Sequence, residues 1–114
     1  QIKRFETEYA GKPGYYSMLD QSDFNKLVSH VGDSVTIFGN ISRVITDNNP
    51  HIAKLEINED DTIDLVFFQK HYDLMKELKL DDPKGYYLYA KGKLTEYKGR
   101  KQIIIEDKTQ IWEE

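Results

Sequence analysis

The chain has 114 residues, 39% hydrophobic and 12% aromatic, a composition that suits one globular domain with a compact core. Its formal net charge of -4 excludes the strongly basic class of proteins that coat duplex DNA. With no cysteine there are no disulfides, thiolate metal sites or cysteine nucleophiles, and no apolar run approaches membrane-spanning length.

Gln1–Ser17 is polar, broken by Gly11, Pro13 and Gly14, and reads as an arm whose Tyr9, Tyr15 and Tyr16 pin it to the body. Residues 1–19 are therefore assigned to an N-terminal arm and residues 20–114 to a single domain. The chain opens on Gln1 rather than Met, as expected of a trimmed or processed product. A leader or anchor is not to be judged from these residues, and cytoplasmic and exported locations both stay open.

Asp20–Val31 is a predicted helix, with Phe24, Leu27, Val28 and Val31 forming one apolar stripe. Asp20 or Ser22 caps its start, and Gly32 stops it. Predicted strand one, Ser34–Thr46, turns Val35, Ile37 and Ile41 inward and is interrupted by Gly39, which suits a sheet that coils round to meet itself. Asp47-Asn48-Asn49-Pro50 is a turn by composition. Strand two, His51–Ile57, alternates Ala53, Leu55 and Ile57 inward against Ile52, Lys54 and Glu56 outward. An acidic turn, Asn58–Asp61, leads to strand three, Thr62–Phe68, whose core set is Ile63, Leu65 and Phe67.

Over Gln69–Leu80 the period changes, and Phe68, Tyr72, Met75 and Leu78 recur at helical spacing until Asp81-Asp82-Pro83 ends the helix. Strand four, Tyr87–Thr95, places Leu88, Ala90 and Leu94 on one face and Tyr87, Tyr89, Lys91, Lys93 and Thr95 on the other. Gly92 sits on the inward face, where a missing side chain permits a bend or bulge. Tyr97-Lys98-Gly99-Arg100 turns the chain into strand five, Lys101–Glu106, and Ile111 and Trp112 fold back onto the body. This order predicts a mainly β protein: a five-stranded antiparallel OB-fold barrel with a helix between strands three and four and an N-terminal helix.

Charge is unevenly spread. Lys84–Lys101 carries six basic residues against Glu96 alone, a local balance of +5 that leaves -9 for the remainder. The segments VGDSVTIFGNISRV, HIAKLEI, TIDLVFF and GYYLYAKGKLTEYKGRKQIIIEDKTQI resemble OB-fold nucleic-acid-binding modules of the tRNA-anticodon-binding type. Such modules also occur as accessory domains of bacterial nucleases and as small exported bacterial proteins. The resemblance spans about Val31–Ile111. It is strongest in G-x-L-x-x-Y-x-G-x-x-Q-I-I-I at Gly92–Ile105 and in D-x-x-Q-I ending at Ile111. It implies single-stranded DNA or RNA binding across strands two and three, flanked by the loops joining strands one to two and four to five. The acidic turn Glu59-Asp60-Asp61 and an outward Asp64 depart from that pattern, because they repel phosphate.

A single-stranded polyanion needs cations for its backbone and flat rings for its bases. Lys91, Lys93, Lys98, Arg100 and Lys101 offer the first, and Tyr87, Tyr89 and Tyr97 the second. Lys91 and Lys93 taken singly read as ordinary solvated-strand residues. The cluster at Tyr97–Lys101 reads as functional, because a loop tip has no packing reason to gather three cations and a ring. Arg43, His51 and Lys54 are expected to line the adjacent groove, although Lys54 has an alternative partner across the sheet in Asp64. Phe67 is expected in the core. His30, His51 and His71 are scattered, and no nucleophile motif, metal-ligand spacing or glycine-rich phosphate cradle is present, so no enzyme, cofactor or metal is expected. The expected role is a non-catalytic module for single-stranded nucleic acid. Its alternatives are an exported or envelope-associated barrel that binds a protein or small ligand, and an accessory domain of a nuclease.

Overall fold

The computed structural model describes residues 14–47, 50–58, 61–77 and 87–113. In chain order these form β1 (Tyr15–Ser17), α1 (Gln21–Leu27), β2 (Ser34–Ile45), β3 (His51–Glu56), β4 (Thr62–Phe67), α2 (Tyr72–Glu77), β5 (Tyr87–Tyr97), β6 (Arg100–Ile104) and β7 (Ile111–Glu113). Neighbours in the sheet run β1-β2-β3-β4-β6-β5-β7, and a further pairing of β2 with β5 closes the five long strands into a barrel.

Closure demands two strands long enough to serve two neighbours each. β2 pairs with β5 from Ser34 to Asn40 and then with β3 from Ile41 to Ile45. β5 pairs with β2 up to Lys93 and with β6 from Leu94 to Tyr97. Each strand bends where it changes partner, and each has a glycine there. A Cβ at Gly39 would stand 2.9 Å from the Met18 Cβ, and one at Gly92 would stand 2.7 Å from the Ile103 Cγ2. The register irregularity lies in β2, between Ile41 and Arg43. At Gly92 the pairing is regular, so this glycine answers to close approach rather than to a bulge.

The interior is the inward set that alternation predicts. Val35, Ile37, Ile41, Ala53, Leu55, Ile63, Leu65, Phe67, Leu88, Ala90, Leu94, Ile103 and Ile105 are all buried in one cluster with Phe24 and Leu27 of α1. Asp20 caps α1 by accepting from the Ser22 N–H at 2.8 Å, and Asp23 accepts from the Ser17 N–H at 2.9 Å, tying the helix to β1. A short 3-10 turn, Val28–His30, continues the helix toward β2. Tyr72 and Leu74 of α2 pack against the same core. Residues 78–80 of the longer helix predicted from the sequence lie outside the described residues, as do the Asn48-Asn49 step of the first turn, Glu59-Asp60 of the second, and residues 1–13.

Two features differ from the expected architecture. The barrel is mixed rather than antiparallel throughout: β4 runs parallel to β6, and β1 runs parallel to β2. The chain between β4 and β5 crosses over before the β5–β6 hairpin forms, so β6 meets β4 pointing the same way. Sequence also missed two strands of three residues each, β1 inside the predicted arm and β7 at the carboxyl end. Three residues are too few to show a period.

The D-x-x-Q motif has a structural account. Asp107 caps a 3-10 turn, accepting from the Thr109 N–H at 2.9 Å. The Gln110 amide oxygen accepts from the Glu106 and Asp107 N–H groups, while its nitrogen donates to the Lys91 and Ile104 carbonyls at 3.0 and 3.1 Å. One side chain thus ties β5, β6 and the following turn together. The Thr109 backbone hydrogen bond, then its hydroxyl, hold the Asp107 carboxyl below its ordinary 3.8. A depressed folded-state value means that this cap contributes above pH 3.8 and is lost as pH falls through the lowered value.

Gly92→Ala is expected to destabilise the fold by about 1–3 kcal/mol, because the Ile103 branch leaves no room for it. Gln110→Ala is expected to cost about 2 kcal/mol through its four hydrogen bonds. Urea unfolding of each variant checks both, and an unchanged midpoint for either contradicts the corresponding account.

Candidate nucleic-acid interface

The outer face of the barrel is organised in cross-strand rows. Register places Arg43, Lys54, Asp64, Gln102 and Thr95 side by side across β2, β3, β4, β6 and β5. A second row runs Ile45, Ile52, Val66 and Ile104, with Val66 buried and the other three half-buried. At the hairpin end Arg100 stands opposite Tyr97. Sequence gave no warning of the aliphatic row. Its signal, four outward aliphatics on four strands, becomes visible only once the register is known.

At the centre lies Asp64, with its side chain only 4% exposed. The Lys54 Nζ stands 3.5 Å from Oδ1, and the Arg100 Nε stands 3.4 Å from Oδ2. The first contact has the reach of an ion pair without the alignment of a hydrogen bond, so Oδ1 accepts none. Lys54 is buried with its partner. This corrects the expectation that Lys54 lines the groove as a free cation. A lysine and an aspartate opposed on one face neutralise each other, and covering both is cheaper than covering either alone.

The tip is a two-residue turn in which Lys98 has φ 51° and Gly99 φ 80°. Two consecutive left-handed residues make the hairpin turn whose twist matches its strands, and Gly99 supplies the freedom the sequence predicts for it. Lys98 occupies a conformation uncommon for a residue with a Cβ. Its Nζ lies 5.4 Å from the centre of the Tyr97 ring, and that ring is 60% exposed. Lys101 pairs with Glu96 at 2.9 Å. Arg100 keeps a 56% exposed side chain despite its contact with Asp64. The pairings Lys54–Asp64 and Lys101–Glu96 thus cancel two cations against two carboxylates, leaving Lys98 and Arg100 beside an exposed ring.

Other predicted site residues fall elsewhere. Tyr89 is 2% exposed, correcting its assignment as an outward stacking ring. It lies beneath Trp112 of β7 (ring centres 5.3 Å apart, planes 9°) and against Phe38 at 4.9 Å. Tyr87 is half-buried and stacks on Phe38. The short strand β7 makes an outer aromatic layer out of what alternation marks as solvated. His51 is not available to a base on both faces, because its ring stacks on Tyr72 at 3.6 Å and 3°. Lys91 and Lys93 are exposed but sit where β5 pairs with β2, on the other side of the bend from Tyr97, which lies where β5 pairs with β6. Arg43 is exposed at the far end of the polar row, with no ion-pair partner among the described residues. The structure therefore gathers Tyr97, Lys98, Arg100 and Lys101 at the tip, with Arg43 across the face.

No family model matches the sequence, and no curated protein matches it. Solved structures do. A chain of the S. pombe Stn1–Ten1 complex superposes with a TM-score of 0.55 at 15% identity, covering 70% of this chain and 57% of that one. The protein thus spans little more than half of that relative. Two OBody scaffolds bound to hen egg-white lysozyme, AM1L10 and AM2EP06, match with TM-scores of 0.52 and 0.55 at 17% and 13% identity. Each alignment covers 75% of this chain and 82% of the scaffold. The barrel is an OB-fold. At these identities the likeness concerns the fold alone, and the tRNA-anticodon-binding type is not distinguished within it.

Lys54→Met leaves Asp64 facing only the half-exposed Arg100, and a loss of about 2–4 kcal/mol is expected. The double variant Lys54→Met/Asp64→Leu removes both charges and is expected to recover most of it. Thermal unfolding of the two proteins decides the matter. A double variant as weak as the single one contradicts the pairing.

Proposed function

We propose that this OB-fold is a non-catalytic module for single-stranded nucleic acid, with the β5–β6 tip as its recognition element. The carrying observation is the charge left after internal pairing: Arg100 shares Asp64 with Lys54 and is compensated only in part, and it stands with Lys98 beside a Tyr97 ring that is 60% exposed. A ring of that exposure stacks on any base, and two cations hold the adjoining phosphates. Arg43 extends the track across the row. Lys101 contributes less than its sequence position suggests, because Glu96 holds it. The resemblance to nucleic-acid modules supports this reading, as does the barrel they share.

A protein-binding role is the second reading, favoured by one finding: the OB-fold neighbours include a chain of a Stn1–Ten1 complex and scaffolds bound to lysozyme. An exported or envelope-associated setting, or attachment to a nuclease, fits either role.

Fluorescence anisotropy of a labelled oligothymidylate of about 12 nucleotides, titrated at several salt concentrations, tests the first reading. Affinity is expected to fall with salt, with a log–log slope of about -2 for two to three phosphate contacts. Lys98→Ala or Arg100→Ala is expected to reduce the slope by about 0.7 each. Tyr97→Ala is expected to weaken binding by about tenfold at every salt concentration, through lost stacking. Absence of binding at low salt overturns the reading, and displacement by a protein partner but not by oligonucleotide favours the second.

A further inference from the structure

A cleft of about 480 Å³ opens at the end of the barrel, between α1 and the hairpin tip. Its volume falls within the range of sites that hold small ligands or a few residues of peptide. Phe24 of α1 and Val28 of the 3-10 turn that follows it give the cleft an apolar floor, and Gly99 leaves it open, since no atom lies within 4 Å of where a Cβ would stand. Arg100 and Lys101 form one wall and Asp61 and Thr62 the other. Asp61 is fixed in place: its Oδ2 accepts from the Gln21 Nε2 at 2.8 Å and the Asn58 Nδ2 at 3.0 Å.

The two walls carry opposite charge, and among the described residues no ion pair closes across the gap. The Asp61 carboxylate makes this wall unfavourable for a polyanion. A ligand that satisfies the whole cleft brings a cation to Asp61, an anion to Arg100 and Lys101, and an apolar group between them.

We propose that this cleft docks a short peptide segment of a partner protein, one that sets an aliphatic side chain between a basic and an acidic residue. The site is separate from the nucleic-acid reading, which uses the outer surface of the tip. Arg100 and Lys101 are shared, so a bound peptide and a bound strand compete for them.

Amide chemical shifts report the test, with the blocked tripeptide acetyl-Lys-Leu-Glu-amide as probe against its neutral counterpart acetyl-Gln-Leu-Gln-amide and the acidic acetyl-Glu-Leu-Glu-amide. The mixed-charge peptide is expected to shift Asn25, Val28, Thr62, Gly99 and Lys101. It is also expected to bind about fivefold tighter than either control, the yield of two partly exposed ion pairs. Asn25→Trp, at an exposed α1 position in the lining, is expected to abolish those shifts while leaving thermal stability and oligothymidylate binding unchanged. Equal binding of the three peptides, or full binding to the Trp variant, overturns the proposal. So does stronger perturbation of the same amides by thymidine monophosphate, which assigns the cleft to the nucleic-acid strand. Failure of oligothymidylate to bind leaves this result standing and removes only the first reading.

Discussion

Seven consecutive pairings between β2 and β5, from Ser34 opposite Lys93 to Asn40 opposite Tyr87, are the constraint on which the rest of the molecule depends. They turn a sheet with two free edges into a cylinder and require both strands to bend between partners. They also fix which side of every strand is interior. Gly39 and Gly92 are consequences, each at a bend where another residue's side chain already fills the Cβ position. The Gln110 amide secures the same corner from outside, bonding the carbonyl of Lys91 next to Gly92 and that of Ile104 next to Ile103. A local motif of glycine, isoleucine and glutamine is thus one packed joint.

Closure also decides the electrostatics of the candidate interface. An acidic chain retains a positive tip because its carboxylates are spent in particular places. Asp64 sits between Lys54 and Arg100, and Glu96 holds Lys101. One carboxylate shared by two cations leaves a surplus on the more exposed of them. Removing Lys54 from solvent, which first looks like the loss of a binding residue, therefore keeps Asp64 from neutralising Arg100 completely. On the opposite side of the tip, Asp61 faces Arg100 and Lys101 across the cleft without an ion pair among the described residues, because those cations meet Asp64 and Glu96, and the barrel's end is consequently bipolar. The same hairpin presents a basic, aromatic surface outward and one wall of a mixed-charge cleft inward.

Much of this was legible before the structure. Period-two alternation located the five barrel strands to within a few residues and named nearly the whole core, because an inward side chain in a closed barrel has nowhere else to go. The turn at Lys98-Gly99 and the pairing option for Lys54 were readable from residue type. Alternation failed on the outer face. Tyr89 and Lys54 stand in the outward phase, yet a three-residue strand bearing Trp112 covers the first and a cross-strand carboxylate draws in the second. Neither cover has a period of its own. The parallel β4–β6 pairing and the aliphatic row from Ile45 to Ile104 depend on a register set by contacts distant in sequence. Tyr72, 21 positions away, covers one face of the His51 ring for the same reason.

The central claim is that the exposed hairpin tip, with Lys98 and the partly compensated Arg100, is where a single strand lies. Mapping amide shifts of the whole chain during an oligothymidylate titration addresses it most directly. The account predicts the largest changes at Tyr97, Lys98, Gly99 and Arg100, with a smaller set near Arg43 at the far end of the polar row. Changes confined to β1, α2 or β7, with the tip undisturbed at saturation, would contradict it.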